Sequence, residues 1–200
     1  MDVIFATGNK GKLDEIREIM KEFIDRHDIN LISLKDAGIN ADIVEDGKTF
    51  EENALIKART VAGYTDSIVL ADDSGLEVDY LDKAPGIYSA RYLGEDTSYD
   101  VKNNHILNEM KDVPEEKRTA RFVCVIACVM PDGKELTAEG IIEGHIAHKI
   151  RGEHGFGYDP IFYLPERKCT TAEILPEEKN EISHRGRALC AMMKLLDEII

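Results

Sequence analysis

The stretch Ala71-Asp72-Asp73-Ser74-Gly75-Leu76-Glu77-Val78-Asp79 constrains this chain more than any other. The run before it, Ser67-Ile68-Val69-Leu70-Ala71, is apolar and partly β-branched, and predicts a buried strand. That strand runs straight into two carboxylates, a hydroxyl and a glycine. In open α/β sheets, ligands collect at the carboxyl ends of strands. Two adjacent acids there repel each other unless a cation or a proton sits between them. The plainer reading is an Asp-rich turn closing a hairpin, because Asp, Ser and Gly are turn formers.

The whole chain decides which reading it supports. Two hundred residues, 43% of them hydrophobic, suit one globular domain over 1–200 with a real core. The formal charge of −14 argues against non-specific nucleic-acid binding, which needs a broad basic face. It also disfavours an anionic membrane surface. The N-terminus, Met1-Asp2-Val3-Ile4-Phe5-Ala6, lacks the features of a signal peptide. The longest apolar run, from Phe122 to Met130, falls far short of the ~20 residues of a membrane span. Cys124, Cys128, Cys169 and Cys190 lie in apolar segments and read as reduced core residues of a cytoplasmic protein.

Asp2 to Ala6 predicts a first strand. Thr7-Gly8-Asn9-Lys10-Gly11-Lys12 follows, and then a helix with Leu13, Ile16, Ile19, Met20, Phe23 and Ile24 at helical spacing. A strand, a glycine-containing loop and a helix present backbone N–H groups to an anion. Lys10 and Lys12 stand where cations are unfavourable unless an anion offsets them. A Walker loop is excluded, since only two residues separate Gly8 from Gly11 and Leu13 follows Lys12.

Ile29 to Leu34 predicts a second strand, and the loop to Lys48 carries Asp42, Glu45 and Asp46. Thr49 opens a helix with Glu52 in capping-box position. Phe50, Ala54, Leu55, Ala58 and Val61 form its apolar stripe, and Lys57 and Arg59 lie off it, as solvated surface residues do. After the acid pair, Ala84 to Tyr92 is a turn with aromatics and an Arg. Thr97 or Ser98 caps a helix through Met110 with Val101 and Ile106 inside. Thr119–Met130 and Glu135–Ile146 flank Pro131-Asp132-Gly133-Lys134 as a hairpin. His145, Lys149, Arg151 and His154 make one loop basic, and Gly155 to Pro160 is loop chemistry with two aromatics. Pro176 opens a short helix, and Ser183 caps the last one.

A phosphate cradle, several carboxylates, a basic loop and an aromatic–glycine loop suit a nucleotide polyphosphate with Mg²⁺, which takes few carboxylates plus substrate phosphates. The residues alone therefore point to an α/β phosphohydrolase or nucleotide binder.

Four blocks in order, Thr7-Gly8-Asn9-Lys10-Gly11-Lys12, Ala71-Asp72-Asp73-Ser74-Gly75-Leu76, Phe156-Gly157-Tyr158-Asp159-Pro160 and Ser183-His184-Arg185-Gly186, resemble the signatures of the inosine triphosphate pyrophosphatase family. They span nearly the whole chain. The resemblance implies an elongated α/β fold, with a mixed central sheet flanked by helices and a cleft between two lobes. It implies Mg²⁺-dependent hydrolysis of ITP, dITP and XTP to the monophosphate and pyrophosphate, and commonly a homodimer. On the same pattern Thr7, Gly8, Asn9, Lys10, Gly11 and Lys12 hold the triphosphate and Lys57 reaches a phosphate. Glu45 and Asp73 ligate metal, and Asp73 also accepts the proton. Ser74, Lys179, Phe156, Gly157, Tyr158 and Asp159 hold substrate, and His184 and Arg185 meet the base. Asp72 either ligates metal as well or tunes its neighbour. A Maf-like pyrophosphatase of pyrimidine or modified nucleotides and a non-catalytic nucleotide sensor are the competing readings.

Overall fold

The structure is a computed structural model and describes residues 1–7 and 10–200, with Lys10 described by its backbone alone. It holds a mixed seven-stranded sheet of order β2-β1-β3-β4-β5-β6-β7 with flanking helices. The strands are β1 (Asp2–Phe5), β2 (Asn30–Ser33), β3 (Ile68–Val78), β4 (Thr119–Val129), β5 (Glu135–Ile146), β6 (Phe162–Leu164) and β7 (Cys169–Thr170). The helices are α1 (Lys10–Ile19), α2 (Lys21–His27), α3 (Phe50–Ala62), α4 (Tyr99–Glu109), α5 (Pro176–Ile182) and α6 (His184–Asp197). β1 pairs in parallel with β2 and with β3, whereas β6 runs antiparallel to both β5 and β7.

The chain forms two compact units. The first comprises Met1–Asp73, Cys124–Gly140 and His184–Ile200, and the second Ser74–Val123 and Ile141–Ser183. Each has its own core. In the first, Val3 and Phe5 of β1 pack with Leu13, Ile16 and Met20 and with Leu189 and Met192 of α6. In the second, Leu76 and Val78 of β3 pack with Ile106 and Met110 near α4 and with Phe122, Ile142 and Phe162. The heptad-like spacing of Leu13, Ile16 and Met20 buries one helical face against the sheet, which is what its periodicity calls for.

Several local expectations change. The acid pair does not sit in a loop or turn, because β3 continues through it to Val78. The first helix is two helices, broken at Met20. Val101 is 54% exposed rather than inside α4, whose buried residues are Lys102, Asn103 and Ile106. Lys57 is buried, although Arg59 stays exposed and pairs with Glu135. Thr49 caps α3 by accepting from the Glu52 amide at 3.1 Å, but the Glu52 carboxylate takes the Lys48 amide instead of closing the box on Thr49. Cys190 is exposed, while Cys124 and Cys128 are buried and burial pushes both thiols up to about 12. Among the described residues no helix is long and apolar enough to cross a membrane.

Gly140 of β5 sets how closely α6 approaches. A Cβ there would lie 2.2 Å from the His184 carbonyl oxygen and 2.4 Å from the Ala188 nitrogen. Both are backbone atoms, so no side-chain rotation relieves the clash. Gly140→Ala must push α6 off β5 and is expected to destabilise the protein by about 1–3 kcal/mol, the usual cost of overpacking. A fall in the urea midpoint measures it; an unchanged midpoint would show that α6 does not rest on this glycine.

Candidate active site

Residues adjacent in a strand point to opposite faces. Because Asp72 and Asp73 lie within β3 rather than beyond it, their carboxylates are separated and enter two different charge clusters of the first unit. Asp72 Oδ2 accepts from Lys12 Nζ at 3.1 Å and lies 3.5 Å from Arg185 Nη2. Arg185 also donates through Nη1 to Glu15 Oε2 at 3.0 Å. This cluster joins α1, β3 and the start of α6. Burial works against the Asp72 charge, but Lys12, Arg185 and Lys57 outweigh it and hold the carboxyl well below the usual carboxylate range. Burial likewise opposes the Arg185 cation, which Asp72 and Glu15 nevertheless stabilise above the ordinary arginine value.

Asp73 is different. Its Oδ1 accepts from Lys57 Nζ at 3.3 Å, and the same ammonium donates to Glu45 Oε2 at 3.1 Å. Its Oδ2 is buried with no hydrogen-bond partner among the described residues. Burial raises the Asp73 pKa, and Lys57 only partly offsets this while Glu45 adds to it. Lys57 shows the reverse balance. Burial opposes its charge, but Asp73, Asp72 and Glu45 hold its pKa above that of an ordinary lysine. One carboxylate of the pair is thus firmly ionised, and the other is the more basic.

Helix α3 builds this second cluster. Lys57 lies one turn after Asn53, and the two face the same way. Asn53, fully buried, accepts the Gly47 amide on Oδ1 at 2.9 Å and so fixes the chain two residues beyond Glu45. The approach excludes a side chain at Gly47, where a Cβ would lie 2.7 Å from Asn53 Oδ1. Asn53 also favours the charged form of Asp73, although its Nδ2 reaches no acceptor at hydrogen-bonding distance.

The donor set fits a magnesium ion. Two carboxylates, Glu45 and Asp73, share one ammonium, and a buried Asp73 oxygen is left without a donor. Among the described residues no cluster of three or more Asp, Glu, His or Cys forms a metal cage. Mg²⁺ is commonly held by one or two carboxylates, with water and phosphate oxygens completing its shell.

Of the remaining predicted residues, Thr7 is nearly buried at the end of β1, with its amide donating to the Phe5 carbonyl at 2.7 Å. Gly8, Asn9 and the Lys10 side chain lie outside the described residues. Gly11 is exposed in the first turn of α1. His184 and Arg185 are both buried in the first turn of α6. Glu178 pairs with Arg167, and Arg185 turns to Asp72 and Glu15.

The second unit gathers the others. Ser74 is half-buried in β3. Asp159 Oδ2 accepts from the Phe156 amide at 2.8 Å and from Lys179 Nζ at 2.6 Å, and its Oδ1 accepts from Thr171 Oγ1 at 2.8 Å. Lys179 Nζ also lies 5.0 Å from the centre of the Phe156 ring. Asp159 therefore folds the Phe156–Asp159 segment back on itself and fixes Lys179 beside it. Gly155 permits the bend at φ +74°, since a Cβ there would meet Asp159 Oδ2 at 2.2 Å.

Glu15 and Asn53 escaped the sequence reading. Each left a trace. Glu15 follows Lys12 by one helical turn, and Asn53 is a polar residue on the buried side of α3, three residues after Phe50.

Residues 3–195 match the Ham1 family. A dITP/XTP pyrophosphatase of Clostridium perfringens is 50% identical over 192 residues, covering 93% of this chain and 92% of its own length. That of Bacillus subtilis is 45% identical over 196 residues, covering 98% and 97%. A HAM1 protein from Coxiella burnetii is similar in structure, with a TM-score of 0.89, 40% identity and 99% of each chain covered. A match over nearly the whole chain places it in the Ham1 family.

Proposed function

We propose that this protein hydrolyses non-canonical purine nucleoside triphosphates, namely dITP, XTP and ITP, to the monophosphate and pyrophosphate with Mg²⁺, as a homodimer. The observation that carries the reading is the division of the acid pair. Asp72 is neutralised by Lys12 and Arg185, while Asp73 keeps a raised pKa and an oxygen without a donor. A nucleotide sensor would not call for a basic carboxylate set beside a fully ionised one. The relatives named dITP/XTP pyrophosphatase support purine over pyrimidine substrates.

Phosphoryl transfer is catalysed mainly by positioning and by charge stabilisation. Asp73 orients the attacking water and accepts its proton, and its raised basicity suits that task. Glu45 and Asp73 would hold the metal, which would supply charge to neutralise phosphate oxygens. Lys57 supplies a positive charge beside those two carboxylates and reaches a phosphate of the substrate. Thr7 to Lys12 cradle the triphosphate, with Lys12 kept in place by Asp72. Ser74, Lys179 and the Phe156–Asp159 segment hold the remainder of the substrate. His184 and Arg185 meet the base. Hypoxanthine and xanthine carry a carbonyl at position 6, where adenine carries an amino group. An arginine has donors and no acceptor, so it favours the carbonyl.

Pyrophosphate release from ITP with Mg²⁺ tests the function directly, with dTTP and UTP as the contrasting substrates. Asp73→Asn is expected to fold normally and to lower kcat by ~10²-fold or more, the scale of a lost general base. Near-normal turnover would remove Asp73 from the mechanism. Lys12→Ala should raise KM for ITP and weaken inhibition by pyrophosphate, with unchanged kinetics assigning Lys12 to Asp72 alone. Arg185→Ala should lower kcat/KM for ITP by about tenfold more than for ATP, the scale of one misplaced polar partner. Equal losses on both would make Arg185 a member of the Glu15–Asp72 cluster rather than a reader of the base.

A further inference from the structure

Helix α4 lies in the second unit and has no assigned part in the reaction. Ser98 caps it, its buried residues are Lys102, Asn103 and Ile106, and Tyr99 stands exposed in its first turn. Two of these residues meet the Phe156–Asp159 segment. Asn103 Nδ2 donates to the Gly157 carbonyl at 3.0 Å. Tyr99 stacks edge-on against Tyr158 with centroids 5.3 Å apart, and its ring lies 3.6 Å from where a Gly157 Cβ would be. Lys102 Nζ donates to the Ala90 carbonyl at 2.6 Å, which ties the same helix to the Gly86–Arg91 turn. From that turn the Ser89 carbonyl accepts the Tyr158 hydroxyl at 2.8 Å.

The segment therefore has three anchors of different kinds. Asp159 holds its two ends together, Tyr158 plugs into the core, and Asn103 grips the backbone at the bend. Gly157 stands at φ +68°, where a glycine has wide conformational freedom. Fixing its carbonyl fixes the peptide plane between Gly157 and Tyr158, and with it the direction of the chain carrying Phe156. A carbonyl only accepts, so the amide nitrogen of Asn103 must face it. Asn103 is 2% exposed and its Oδ1 has no partner among the described residues. Burying that oxygen unpaired is costly, and an apolar residue would have filled the same place without the cost. What the amide adds is its single bond to Gly157.

We propose that Asn103 is a positioning residue that sets the Phe156–Gly157 bend for substrate binding. It acts on affinity rather than on the bond-breaking step. The proposal rests on the assignment of Phe156–Asp159 to substrate.

Asn103→Asp tests it, because the shape is kept and the donor is replaced by an acceptor facing an acceptor. The expected result is a rise in KM for ITP of about tenfold, the scale of one buried hydrogen bond, with kcat within about twofold. Asn104→Asp is the control. The Asn104 side chain donates to the Asp100 carbonyl on the exposed side of α4, so KM should not move. The chain contains no tryptophan, so Phe156→Trp provides a single tryptophan on the segment itself, excited apart from the tyrosines. In that background Asn103→Asp should increase acrylamide quenching and lower anisotropy in the absence of any nucleotide. Unchanged KM, or unchanged quenching, overturns the proposal. So does a variant that unfolds as Asp and as Ala alike, which would make Asn103 a residue of the fold. If the parent protein releases no pyrophosphate from any nucleotide, the substrate assignment fails, while the fluorescence still reads whether Asn103 holds the bend.

Discussion

The site depends on the two-residue period of a β-strand. Asp72 and Asp73 are neighbours in sequence and would repel each other in a flexible turn. Held within β3, they face opposite ways and accept hydrogen bonds from different lysines, Asp72 from Lys12 and Asp73 from Lys57, although Lys57 also acts on Asp72 through space. Each carboxylate then acquires its own electrostatic character without a change in residue type. Lys12 and Arg185 settle Asp72, and the burial of Asp73 with a shared lysine leaves it more basic. Much of the first unit serves this separation. α1 brings Lys12 and Glu15, α6 brings Arg185, α3 brings Lys57 and Asn53, and Gly140 lets α6 come close enough to do so.

The second unit uses a different device. Asp159 organises its segment by accepting from a backbone amide, a lysine and a threonine at once. The result is a bend whose shape is set by polar groups rather than by regular structure. Arg118 uses a further device, since its buried guanidinium bonds to the carbonyls of Met110, Val113, Ile146 and Ala147 and joins the end of α4 to the end of β5.

Much of this was legible in the sequence because it is local. The helical spacing of Leu13, Ile16 and Met20, the Thr49 cap and the Pro131–Lys134 turn each follow from a few neighbouring residues. The acid pair was legible as chemistry but misplaced as structure. Asp, Ser and Gly signal a turn, and only the pairing of β3 in the sheet overrides that signal. Lys57 was misjudged for a related reason. It lies off the apolar stripe of α3, and nothing in the sequence tells that two carboxylates distant along the chain will bury it. Glu15, Asn53 and Asn103 were passed over because single polar residues on helices are common. Their importance comes from partners 6 to 170 residues away.

The placement of Glu45 differs from that of Asp73 in one respect with evolutionary weight. Asp73 sits in the middle of an eleven-residue strand, where an insertion or deletion would invert every following side chain. Glu45 belongs to residues 39–47, which form neither strand nor helix. Changes of length are tolerated best in such segments. The strand-borne acid is therefore a fixed reference point of the sheet, whereas the position of the loop-borne acid can change without disturbing any strand.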